Sequence, residues 1–178
     1  MMIRIAALLA AACSVSGCAT LLGYPPDPPS PAEYDAAAAE VAALPRSGES
    51  ERALLDAVER IAAAATALAP GLEWRSDPER PRVEGGCGGV YGPTGGVNVG
   101  LANRIAAGTI PADRWFELQQ TARELAAAVG ADDMRPGSGT PPNHHVTFDG
   151  ARESDPGISL YADYRSLTIT AHTGCRLP

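Results

Sequence analysis

Four cysteines, three histidines, one glycine-rich run and a few carboxylates are where this 178-residue chain could do chemistry. The cysteines divide by position. Val15-Ser16-Gly17-Cys18 closes an apolar run, Ile5 to Val15, that follows Arg4, the only charge among the first 26 residues. A secretory signal has this form: a positive start, an apolar middle of about 7–15 residues and small residues at the cut. With a cysteine directly after the small residues it reads as a lipobox, where a bacterial secreted protein is cleaved and then lipidated on that cysteine. Cys13 leaves with residues 1–17, and Cys18 carries the lipid. A membrane-spanning reading fails on length, because spanning takes about 20 apolar residues. Cys87 and Cys175 remain, an even pair in an oxidising compartment, and one disulfide is the simplest reading. A redox or metal role would need a Cys-x-x-Cys or clustered His and Cys, and neither spacing is present.

The histidines point away from a metal. His144 and His145 are adjacent, so on a strand they face opposite sides. With turns at 150–156 and 164–166, His145 lies opposite Tyr161 and His172 lies near Gly157. That leaves them two strands apart and offset, whereas zinc ligands sit at about 2 Å from the ion. The run Gly85-Gly86-Cys87-Gly88-Gly89-Val90-Tyr91-Gly92-Pro93-Thr94-Gly95-Gly96 could cradle a phosphate with backbone amides. No Gly-x-Gly-x-x-Gly at a strand-to-helix turn supports that, and no lysine follows. It reads as a flexible loop bending around Cys87, with a binding rim as its remaining functional reading.

Ser138 lacks the Gly-x-Ser-x-Gly spacing of a nucleophile elbow. Asp149, Asp155 and Asp163 lie near a sheet edge, where acidic residues serve solubility; a glycosidase needs two carboxylates at a set separation. All 14 basic residues are arginine. Without lysine, Walker A phosphate binding, Schiff-base chemistry and Ser-x-x-Lys hydrolysis are excluded. The formal charge is −7, and loss of Arg4 with the signal makes the processed chain more negative still. An acidic body is repelled by nucleic acid and by anionic membrane, so no nucleic-acid partner is expected. Two Trp, two Phe and five Tyr are too few for a sugar-stacking platform, and Tyr161 alone falls on a polar sheet face. No catalytic residue, cofactor or metal is expected, and the chain reads as a non-enzyme.

The elements that would position these residues follow from capping and periodicity. Residues 18–31 join the lipidated cysteine to a proline-rich tether, extended at about 3.1 Å per residue. Ser30-Pro31-Ala32-Glu33 is a capping box opening a helix that runs to about Leu44, where Pro45 stops it. A second helix is predicted from about Ser50 to Ala69, with Leu54, Val58, Ile61, Ala65 and Leu68 on one face. A third runs from Pro111 to Val129, with Trp115, Leu118, Ala122, Leu125 and Val129 on one face and Gly130 closing it. Short strands are expected at 72–75, 97–101 and 131–135. Residues 143–149, 157–163 and 167–173 alternate strictly, with Val146, Phe148, Ile158, Leu160, Leu167 and Ile169 on one side. Residues 32–178 therefore read as one α+β domain, helices packed on one face of an antiparallel sheet that ends in a three-strand meander.

Four stretches carry a family likeness: the Val15–Cys18 lipobox, the segment from Pro25 to Tyr34, Ala122 to Ala131, and Thr173-Gly174-Cys175-Arg176-Leu177. Together the chain resembles mycobacterial lipoproteins of the LppA/LppV type. The resemblance implies an actinobacterial envelope lipoprotein, held on the outer face of the cell membrane by lipid on Cys18. It carries over only Cys18, Cys87 and Cys175, and no catalytic residue. The expected role is a non-enzymatic surface module that binds an envelope protein or other component. The alternative is a small-molecule or lipid carrier, its groove between helices and sheet beside Gly85–Gly96.

Overall fold

The computed structural model describes residues 28–137, 139 and 142–178. The expected signal at 1–17, Cys18, most of the expected tether and Ser138 lie outside the described residues.

Helix α1 spans Pro31–Ala43 and opens with the expected capping box: Ser30 accepts from the Glu33 N–H, and the Glu33 carboxylate accepts from the Ser30 N–H at 2.7 Å. Leu44, forced to extended backbone by Pro45, ends it. Helix α2 spans Ser47–Leu68, beginning earlier than Ser50 because the Ser47 N–H is taken by the Leu177 carbonyl at 2.8 Å. Helix α3 spans Trp115–Ala127; residues 112–114 first make a turn, closed by the Arg114 N–H on the Pro111 carbonyl.

Eight strands form one antiparallel sheet: β1 (Glu73–Ser76), β2 (Val83–Gly86), β3 (Val97–Gly100), β4 (Arg104–Ala107), β5 (Asp133–Pro136), β6 (His144–Asp149), β7 (Gly157–Ala162) and β8 (Ser166–Arg176). The main path runs β1-β4-β8-β7-β6-β5. The long strand β8 is its axis. On one side it pairs with β7; on the other its first half pairs with β4 and its second half with β3, which carries β2 outside it.

The glycine-rich run corrects the expected flexible loop. Its first residues lie in β2, paired to β3, and Gly89–Thr94 form a 3-10 helix, η1. Two glycines make β2 a poor strand by propensity, so the pairing to β3 holds it from outside. Strand β4, outside the expected strands, is held the same way by β1 and β8.

The alternation in β6, β7 and β8 orients one face to the helices. Val146, Phe148, Ile158, Leu160, Leu167 and Ile169 are all 0–1% exposed, and they meet Leu54, Val58 and Ile61 of α2 and Leu118 and Leu125 of α3. A second, smaller cluster gathers Ala37 and Val41 of α1, Tyr91 of η1 and Cys175 of β8. Gly174 separates the two. Its φ of +65° is the left-handed region, and a Cβ there would collide with the Ser154 and Asp155 carbonyls. The kink re-aims the end of β8, so Cys175 enters the second cluster instead of the first.

Candidate functional site

Two places bring polar side chains together: the corner around Cys175, and the sheet face turned away from α2 and α3.

The corner is tied by the Cys87–Cys175 disulfide, which links residues 88 apart with their Cα atoms 5.7 Å from each other. Gly96 lies against it; a Cβ at that position would sit 2.6 Å from the Cys175 Sγ. Around the disulfide, the 150–156 loop folds inward. Ser154, fully buried, donates its hydroxyl to Glu40 of α1, and the Tyr91 hydroxyl donates to the same carboxylate at 3.3 Å. Arg152 bridges Glu40 at 3.3 Å and Asp155 at 3.1 Å. Its pKa is raised, chiefly by the Asp155 hydrogen bond and charge and then by the charge of Glu40.

Arg176 lies beneath this network, only 5% exposed. Its Nε donates to the Ser50 hydroxyl at 3.0 Å, and its Nη1 donates to the carbonyls of Cys175 (2.8 Å) and Ser154. Burial pulls its pKa below the ordinary arginine value, partly offset by the charges of Asp155 and Glu40. A cleft of about 360 Å³ opens beside it, between the α1–α2 link, the start of α2, the segment after α3 and the 152–156 loop. Core side chains of α2, α3 and the inner sheet face pack between helices and sheet, and this cleft lies where the helix ends meet the corner.

On the open sheet face, His145 stacks on Tyr161 with ring centroids 4.2 Å apart, matching their direct pairing across β6 and β7. The His145 Nε2 bonds the Thr147 hydroxyl at 3.1 Å, which bonds the Ser159 hydroxyl at 2.9 Å. Thr168 and Thr170 of β8 continue the surface. Tyr161 is 44% exposed. His144 points the other way, onto Trp115 at 4.7 Å. His172 pairs with Gly157 and accepts the Gly174 N–H at Nδ1. Its side chain keeps an exposed edge, and its pKa is lowered first by desolvation from the protein packed around it and second by the Arg176 charge. Among the described residues no group of three or more His, Cys, Asp or Glu is placed to hold a metal ion.

The three aspartates are not brought together. Asp149 pairs with Arg135, and Asp155 is held by Arg152. Asp163 caps the β7–β8 turn, accepting the Arg165 and Ser166 N–H groups at 2.7 and 2.8 Å; these hydrogen bonds hold its pKa low. Glu40, Tyr91, Arg152, Ser154 and Arg176 were not legible as a group. The one signal available was an arginine directly after Cys175, in a strand with no carboxylate and no other arginine.

A family model described as LppA, a lipoprotein confined to pathogenic Mycobacterium, matches residues 22–178. No curated protein and no solved structure matches the chain. Among the described residues no helix is long and apolar enough to cross a membrane.

Proposed function

The chain belongs to the LppA family of lipoproteins, and on that premise we propose that it is a non-enzymatic interaction module of the cell envelope. Residues 1–17 are removed, and lipid on Cys18 holds the rest to the outer face of the cell membrane. One chain anchors only reversibly; the diacylglyceryl group of a bacterial lipoprotein supplies two, at about 0.8 kcal/mol per buried CH₂. The observation that carries the reading is the open face of β6–β8. It presents Thr147, Ser159, Thr168 and Thr170 around an exposed tyrosine, and the core is satisfied without it. Tyrosine is enriched in protein interfaces because it offers apolar area and a hydroxyl together. An envelope protein is the partner this face suits.

Placing a photo-crosslinking amino acid at Tyr161 in the native host tests this, with exposed Arg123 on α3 as the control position. A discrete crosslinked protein at 161 and none at 123 is expected. No product at 161, or the same products at both, would sink the sheet-face reading. The anchor is tested separately: Cys18→Ala should leave the membrane fraction, and retention there would mean that Cys18 does not hold the protein.

A further inference from the structure

Arg176 is a buried cation that forms no ion pair among the described residues. The nearest carboxylates are committed elsewhere: Glu40 to Arg152, Ser154 and Tyr91, and Asp155 to Arg152. The guanidinium has five N–H donors in a fixed fork. Nε and Nη1 are used on Ser50 and two backbone carbonyls, while Nη2 makes no hydrogen bond among the described residues. In direct contact it has only neutral acceptors, the charges of Asp155 and Glu40 acting from farther off, and a buried charge without a contacting partner is costly.

The cleft beside Arg176 has the composition to hold that partner. At about 360 Å³ it falls in the size range of small-molecule sites, about 300–1,000 Å³. Leu44, Ala53, Val129 and Pro156 give it apolar lining, and Ser50, Arg176 and the Asp155-paired Arg152 bring polar groups to it. Ser50 lies in the first turn of the 22-residue helix α2, whose positive dipole end therefore faces the same space. Glu49 and Asp155 also line the cleft, and they oppose a doubly charged group more than a singly charged one.

We propose that this cleft binds an amphipathic monocarboxylate, its carboxylate on the free Arg176 Nη2 and the Ser50 hydroxyl and its hydrocarbon tail along Leu44, Ala53, Val129 and Pro156. The site is separate from the open sheet face and stands or falls independently of it.

The test is equilibrium dialysis of labelled octanoate against the processed, lipidated protein in phosphatidylcholine nanodiscs, with empty nanodiscs subtracted. Saturable binding of one octanoate per chain is expected, with no competition from octylamine. Arg176→Gln should weaken it by about tenfold or more, the loss of one charged hydrogen bond. Because Arg176 also braces the corner, a second variant is needed. Ala53→Phe adds a ring at an exposed helix position and blocks the cleft without touching the guanidinium. It should abolish binding while melting as the wild type does. Absence of saturable binding, or full binding in Ala53→Phe, would overturn the proposal. Octyl phosphate displacing octanoate at lower concentration would overturn the monocarboxylate assignment.

Discussion

Phe148 and Cys175 are both fully buried, and their surroundings share almost nothing. Phe148 belongs to the large apolar cluster supplied by α2, α3 and the inner sheet face. Such a core is held by area removed from water, roughly 25 cal/mol per Å², and it tolerates exchange between residues of similar volume. Around Cys175 the apolar cluster is small, and order comes from a covalent bond, a left-handed glycine and charged hydrogen bonds to Glu40, Asp155 and Arg176. Directional contacts of this kind fix geometry more narrowly than burial does, and each depends on its partners. The molecule keeps its general stability in one place and its specific arrangement in the other.

Four changes would break or sharpen that contrast. Phe148→Ala should cost about 3–5 kcal/mol by leaving a cavity in the main core, read by chemical denaturation. Replacing both Cys87 and Cys175 by Ala should cost about 2–5 kcal/mol. Its more telling effect would be local: amide exchange should quicken in η1 and residues 150–156 and stay slow in β6 and β7. Uniform acceleration would mean that the corner and the core unfold as one unit. Glu40→Gln should cost about 1–3 kcal/mol, because Ser154, Tyr91 and Arg152 lose a shared charged acceptor. Paired with Tyr91→Phe in a double-mutant cycle, it should give non-additive losses; additive losses would show that these hydroxyl contacts are not coupled.

The smallest effect concerns pH. Folding lowers the His172 pKa, so the folded state binds that proton more weakly than the unfolded chain does. This contribution to stability is whole above about pH 6.5 and declines as pH falls through the lowered folded value. The wild type should therefore lose more melting temperature than His172→Gln between about pH 7 and about pH 5. Equal losses would remove His172 from the account.

Most of the main core could be read in advance, because strand alternation and helix spacing report directly which side chains face inward. Ser30 and Glu33 announced α1, and the alternation in 143–173 placed His145 against Tyr161 and His172 beside Gly157. The corner could not be read that way. Glu40 stands on an alanine-rich helix as an ordinary solvent-face acid, and its Ser154 partner is 114 residues away in what reads as a turn. Periodicity identifies a face and says nothing about which distant group meets it. The short strands β2 and β4 escaped for a related reason: their residues have little intrinsic preference, and their neighbours impose the extended form.

The axial place of β8 has a consequence in time. The other seven strands are synthesised before it, yet β3, β4 and β7 each lack one of their two pairing partners until it arrives. Cys87 likewise waits for Cys175. A chain whose middle strand comes last cannot close its sheet early, so the strands on either side wait for residues 166–176 before they join into one sheet.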